Sequence, residues 1–271
     1  MSPSAASDAQ PSSRPSAGQL IQHWRTDRNK SQTTLAHEAG VSPRHLSFVE
    51  TGRSNPSRAT LSRVAAALEL SLRDHNTLML AAGFAPPHPD SPWTAPGLQG
   101  IHRSLTDMVR AHAPFPAMVI DIRGDILLAN KPLLALIGNV TDEQRPLNAY
   151  RLVLQPGGLA DRIVNRDVWQ GHMAARLIKR AADTGDPTLV AMAEAVAGSS
   201  IRGAGNDASA SVPALPLILQ QPEGVLSLAS IRAHLTEPRD VTASELCLET
   251  FIPLDDSTRA ILEKISDASR A

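Results

Sequence analysis

Gly40 is the residue that most constrains this chain, because it stands between two short amphipathic stretches within residues 31–57, SQTTLAHEAGVSPRHLSFVETGRSNPS. On its N-terminal side Leu35, Ala36 and Ala39 recur at a spacing of three to four and share one helical face. Ser31 is placed to cap that helix. Glycine reaches positive φ without a Cβ penalty, so Gly40 supplies a sharp turn. Ser42 then caps a second helix, with Pro43 at its first position, where a missing amide hydrogen costs nothing. Leu46 and Val49 face inward from this helix, which leaves Arg44, His45, Ser47, Phe48 and Thr51 on its outer face. Two helices crossing at a glycine turn read as a helix-turn-helix, whose second helix enters the major groove of DNA.

The flanks extend the unit. Leu20, Ile21 and Trp24 precede it at helical spacing; Leu61, Val64, Ala65 and Leu68 follow, and a last apolar run ends at Gly83. The pattern predicts an all-α domain of five helices over residues 17–86. Residues 14–85 carry nine Lys or Arg against five Asp or Glu, while the whole chain is −1, so positive charge is concentrated here. This stretch resembles the XRE family of bacterial regulators, the helix-turn-helix class of the phage Cro and C repressors. The resemblance rests on Ser31-Gln32, Leu35-Ala36, Gly40-Val41-Ser42, Leu46, Glu50-Thr51-Gly52-Arg53, Pro56, Leu61 and the Ala-rich 64–68 helix. It implies that Gln32, Thr51, Arg53, Ser54 and Asn55 hold the DNA backbone and that Arg44, Ser47 and Phe48 read bases. Arginine can grip guanine O6 and N7, whereas Phe48 can offer only contact to a thymine methyl.

A length of 271 residues suits two domains. Residues 1–16 are polar and Pro/Ser-rich and predict a disordered tail without a signal peptide. Residues 87–97 are dense in proline and predict a semi-rigid linker. Residues 98–271 form the second domain, with a Gly/Ser/Ala-rich loop expected over 198–211. Cys247 is the single cysteine, so no intramolecular disulfide forms. No apolar run approaches the length of a membrane span, and the expected location is the cytoplasm.

In the second domain, residues 98–111 keep helical spacing, counting Leu98, Ile101, Leu105, Met108 and Val109 as apolar. The period then changes to two short strands, 116–122 and 126–129, around Arg123-Gly124-Asp125. Asn130 opens a helix. Residues 148–197 are helical, with Val168, Trp169, Met173, Leu177 and Ile178 on an apolar face and Gly185-Asp186-Pro187 before the last helix. Residues 215–220, 225–236 and 245–253 are strand-like, and 257–265 closes the chain as a helix. This order predicts an α+β domain with an antiparallel sheet covered by helices on one side. Residues 116–130, 148–159, 169–189, 226–230, 238–246 and 249–253 resemble the PAS-like ligand-binding domain of MmyB-like transcriptional regulators. The resemblance implies a pocket for a small apolar, fatty-acid-like ligand. Asn130, Tyr150, Trp169, Met173 and Phe251 are its candidate lining, and the same aromatics also suit an ordinary core. One departure is Gln155, which stands where the family often has histidine and lacks an ionisable ring.

Chemistry beyond binding is not apparent in the sequence. The nine histidines show no pairs at spacings of three or four, there are no cysteine partners, and no phosphate loop or nucleophile elbow is present. No catalytic residue, metal or cofactor is therefore expected. Glu245, Glu249 and Asp255 form an acidic group that suits pairing with Arg239 or capping of the last helix. Cys247 lies in an alternating strand with Leu246 and Leu248 on the opposite face. These features point to a DNA-binding regulator, a homodimer on a palindromic double-stranded operator, whose C-terminal domain senses a small molecule. A constitutive repressor with a C-terminal dimerisation scaffold, and an enzyme fused to a DNA-binding module, are the alternatives.

Overall fold

The computed structural model describes residues 15–138, 146–198 and 214–268. The chain divides into two compact units, Met1–Ser91 with Pro238–Val241, and Pro92–Glu237 with Thr242–Ala271. Most of the expected 198–211 loop lies outside the described residues.

Among its described residues the first unit holds α1 (Ala17–Asp27), α2 (Gln32–Glu38), α3 (Pro43–Glu50), α4 (Arg58–Ala67) and α5 (Leu72–Ala81). All five start the same way, with a serine side chain accepting from a backbone amide of the first turn: Ser16, Ser31, Ser42, Ser57 and Ser71. Gly40 has φ +62°, as the turn demands. Ile21, Leu35, Leu46, Leu61, Leu68, Leu78 and Met79 form a fully buried core. One requirement is invisible to periodicity: a Cβ on Gly18 would lie 2.4 Å from Val49 O and 2.8 Å from Glu50 O. The α1 backbone therefore seats directly on the end of α3. Gly18→Ala, a good helix substitution elsewhere, is expected to cost about 1–3 kcal/mol here, read by thermal denaturation, because the obstacle is backbone and cannot rotate away; unchanged stability would show that α1 slides without penalty.

The second unit is built on a five-stranded antiparallel sheet in the order β2-β1-β5-β4-β3, from β1 (Ala117–Ile120), β2 (Ile126–Ala129), β3 (Leu217–Gln221), β4 (Gly224–Ala233) and β5 (Cys247–Pro253). Around it lie α6 (Gln99–Ala111), α7 (Lys131–Ile137), α8 (Ala149–Leu154), α9 (Arg166–Thr184), α10 (Pro187–Ala197), α11 (Val241–Glu245) and α12 (Asp256–Ala268). This is the α+β class with an antiparallel sheet that the sequence predicts. Met118, Ile120, Cys247 and Phe251 face a core shared with α7–α10 and α12. Ala117, Val119, Leu246 and Leu248 face the other way, onto Leu105 and Val109 of α6. Cys247 thus alternates with its neighbours as expected, but helices cover part of both sheet faces rather than one. Glu245, expected at the start of the last strand, instead ends the short helix α11. Met108 and Ile178, counted as apolar-face residues, are exposed, because each sits at the rim of its helix's buried stripe.

Three polar side chains hold the layers together. Asn130 accepts from Ala117 N (3.0 Å) and Leu133 N (3.1 Å) and donates to Val109 O (3.1 Å) and Phe115 O (2.8 Å), tying α6, β1 and α7. Arg162 donates to Leu136 O and Ile137 O at the end of α7 and to Gln221 Oε1 on β3. Asp186 caps α10 through Thr188 N and Leu189 N and pairs with Arg123 of the β1–β2 turn at 2.9 Å. Burial alone would raise the Asp186 carboxyl; the Arg123 hydrogen bond and the two amides outweigh it and hold it below the usual carboxylate range. A depressed folded value means stability that is present above the unfolded carboxylate range and is lost as pH falls through the folded value. Asp186→Asn is accordingly expected to flatten part of the acid limb of the pH–stability curve, measured by denaturant titration; an unchanged limb would place the acid sensitivity elsewhere.

Candidate nucleic-acid interface and ligand cavity

The α2–Gly40–α3 unit presents the expected outer face. Leu46 and Val49 are buried, Arg44 and Thr51 are exposed, and His45, Ser47 and Phe48 are half-buried. The Arg44 guanidinium lies over the Phe48 ring, 5.3 Å from its centroid. Phe48 belongs to no apolar cluster of the first unit, unlike Phe84. Thr51 Oγ1 donates to Ser47 O at 2.8 Å, and Phe48 O accepts from Arg53 N and Ser54 N, so the chain after α3 folds back on its last turn. That turn leaves Arg53 and Asn55 exposed and Ser54 half-buried.

Glu50, one residue before Thr51, carries a role that sequence reasoning did not assign. It accepts from Arg25 Nε (2.8 Å) and Nη2 (3.0 Å) as a bidentate pair, and from Gln32 Nε2 at 2.7 Å. Both Glu50 and Arg25 are buried, at 6% and 9% exposure. The Glu50 hydrogen bond, then its charge, outweighs burial and raises the Arg25 value. Gln32, expected on a phosphate, therefore has one amide hydrogen fixed by Glu50 and a second still to donate.

In the second unit the candidate pocket residues separate. Trp169, Met173 and Phe251 line an internal cavity of about 50 Å³ between the sheet and the helices, with Met118, Val153 and Glu249. Tyr150 lies across α8 and lines a wider cleft of about 380 Å³ with Arg151, Gln155, Leu177 and Met192. Asn130 lines neither. The amide's donors and acceptor are all spent on backbone groups. α8 is the wall between the two spaces, fixed by its Asn148 cap and by Gln170 Nε2, which donates to Val153 O at 2.7 Å.

The internal cavity has one polar edge. Glu249 pairs with Arg232 Nη2 at 2.7 Å, not with Arg239 as expected. Arg232 is raised, because Glu249 outweighs the burial that would lower it. His172 is lowered, first by burial and then by Arg232. Trp169 Nε1 and Arg232 Nε are buried without an acceptor among the described residues. Burial also pushes the Cys247 thiol up, so the group packs as an apolar side chain. Asp255 accepts from Thr258 N and Ser257 Oγ at the start of α12, the cap that the sequence allows.

Histidines converge once in a way that spacing did not reveal. His75 Nδ1 and His88 Nε2 are 3.1 Å apart across thirteen residues, and burial, His88 and Arg58 together lower His75. Among the described residues no group of three or more His, Cys, Asp or Glu could hold a metal ion, and no helix is long and apolar enough to cross a membrane.

Known proteins share both units. Residues 21–75 match the helix-turn-helix family model, and residues 101–265, more than half of the chain, match the MmyB-like transcription regulator ligand binding domain. The ImmF control region 10 kDa protein of Bacillus phage phi105 is 42% identical over 55 residues, which are 20% of this chain; the chain spans 61% of that relative's length. The restriction-modification controller protein C.AhdI from Aeromonas hydrophila is 32% identical, with TM-score 0.21, covering 22% of this chain and 89% of that one. An RNA-binding light-oxygen-voltage receptor is 12% identical, with TM-score 0.28, covering 93% of this chain and 62% of the other. A DNA-binding helix-turn-helix unit followed by this ligand-binding-type domain makes the chain a member of the MmyB-like transcription regulator family.

Proposed function

We propose that this regulator binds a double-stranded operator as a cytoplasmic homodimer, through residues 17–86, and that residues 98–271 sense a small apolar, fatty-acid-like ligand and mediate dimerisation, with 87–97 as linker. Arg44, Ser47 and Phe48 read bases, while Gln32, Thr51, Arg53, Ser54 and Asn55 hold phosphates. The observation that carries the reading is the outer face of α3. It bears an arginine and an aromatic that the core does not use, beside a glutamine aligned by a buried carboxylate. A two-fold partner follows from one helix covering half a site. The ligand acts by linkage: it shifts operator affinity only by its differential affinity for two arrangements of the dimer.

The internal cavity is the sensor site in this reading, because its lining is apolar and includes the adaptable side chains of Met118 and Met173. Its volume of about 50 Å³ leaves room for little more than a small fragment, so a chain-like ligand has to displace side chains. The same small volume favours the second reading, a constitutive repressor whose C-terminal core is filled by its own residues. Thermal denaturation with added octanoate or 1-octanol separates the two. A sensor is expected to gain several degrees at saturating ligand, and Ala149→Leu, which fills the cavity wall, is expected to remove that gain while leaving operator binding intact. No shift with any ligand, and nothing released on denaturation of the purified protein, would support the scaffold.

A further inference from the structure

We propose that Arg44 and Phe48 act together as one reader of a two-base-pair step, a guanine held by the Arg44 guanidinium beside a thymine whose methyl packs on the Phe48 ring. The proposal rests on the reading that α3 enters the major groove, and it names what that helix selects.

Phe48 is the observation that needs explaining. It is half-buried on α3, yet the apolar cluster of the first unit takes Leu46 and Val49 from this helix and not Phe48. An aromatic that the core does not use, on the outer face of a helix-turn-helix second helix, is free to meet an apolar group from outside. In the major groove the apolar group on offer is the thymine methyl. Arg44 precedes Phe48 by one helical turn, so the two side chains share a face. Their contact at 5.3 Å biases the guanidinium toward one orientation before DNA arrives. Among the described residues Arg44 makes no ion pair, and Glu50, the carboxylate on the same helix, is turned inward to Arg25 and Gln32. The Arg44 donors are therefore available to guanine O6 and N7.

The closeness of the two side chains makes an adjacent pair of bases the natural target. Successive base pairs are separated by about 3.4 Å along the helix. The guanidinium carbon and the ring centroid are 5.3 Å apart, close enough for the two side chains to meet adjacent base pairs. A 5-methylcytosine presents its methyl at the equivalent place in the groove and should substitute for thymine.

The experiment is selection of bound duplexes from a random-sequence pool by the purified full-length protein, followed by titrations on the selected site. The expected result is a thymine beside a guanine in the enriched half-site. Replacing that thymine by uracil, which removes only the methyl, should weaken wild-type binding about fourfold, and 5-methylcytosine should bind better than cytosine there. Phe48→Ala should lose the methyl sensitivity and keep the guanine preference. Arg44→Ala should lose about tenfold or more on the selected site and lose part of the methyl sensitivity too, since the stack is gone. Neither side chain belongs to the core, so both variants should melt with the wild type, which separates loss of reading from loss of fold. Guanine enriched without a neighbouring thymine, or uracil tolerated by the wild type, would overturn the pairing while leaving α3 as the reading helix. Enrichment of no sequence at all would overturn that helix assignment, and the pairing with it.

Discussion

Glu50→Ala is expected to destabilise the N-terminal unit by about 3–5 kcal/mol, enough to unfold a large share of a module whose whole stability is of order 5–15 kcal/mol. The side chain is 2% exposed and takes three charge-assisted or polar hydrogen bonds, two from Arg25 and one from Gln32. Alanine leaves the Arg25 guanidinium buried with only Lys30 O at 2.9 Å as an acceptor. The cost comes mostly from that abandoned charge rather than from the net worth of the pair. The double variant Arg25→Met, Glu50→Leu, which removes both charges and keeps the volume, should therefore recover most of the stability. It should not recover DNA affinity, because Gln32 loses the carboxylate that aligns its amide. Scanning calorimetry and operator titration on the three proteins check this. A double variant as unstable as Glu50→Ala would show that packing, not charge, makes the site intolerant.

The sequence exposes what is decided within a turn or two. Ser31, Gly40 and Ser42 determine their helix ends through their own first-turn amides and φ, so α2 and α3 begin and end where the residues say. Strand alternation likewise puts Cys247 opposite Leu246 and Leu248 without knowledge of the fold. What escapes is whatever depends on a partner far along the chain. Arg25 and Glu50 are twenty-five residues apart, and Arg232 meets Glu249 only because β4 and β5 pair in one register. Gly18 looks like a weak helix residue until the carbonyls of Val49 and Glu50 are brought against it. The pocket illustrates the same limit. Trp169, Met173 and Phe251 share a cavity across α9 and β5, whereas Tyr150, on α8 like the cavity-lining Val153, faces the opposite cleft.

Asn130 caps α7 and makes three further hydrogen bonds to backbone groups. Asn130→Ala is expected to cost about 3–4 kcal/mol. It removes the α7 cap and strands Ala117 N–H, Val109 O and Phe115 O in a region where Asn130 itself is 5% exposed. Asn130→Asp is the more informative change, because its shape is the same. Its carboxylate still accepts from Ala117 N and Leu133 N, but sets a second oxygen against the carbonyls that the amide nitrogen served. Burial and those carbonyls favour the protonated acid, which can donate to one of them, so its folded pKa lies above the unfolded value of about 3.9. A raised folded value gives stability that is present at low pH and lost as pH rises through it. The stability of Asn130→Asp relative to Asn130→Ala should therefore improve on going from neutral pH toward pH ~4, measured by urea titration at each pH. A constant difference would mean that the carbonyls rotate away and that the bracket between α6, β1 and α7 is softer than its four hydrogen bonds imply.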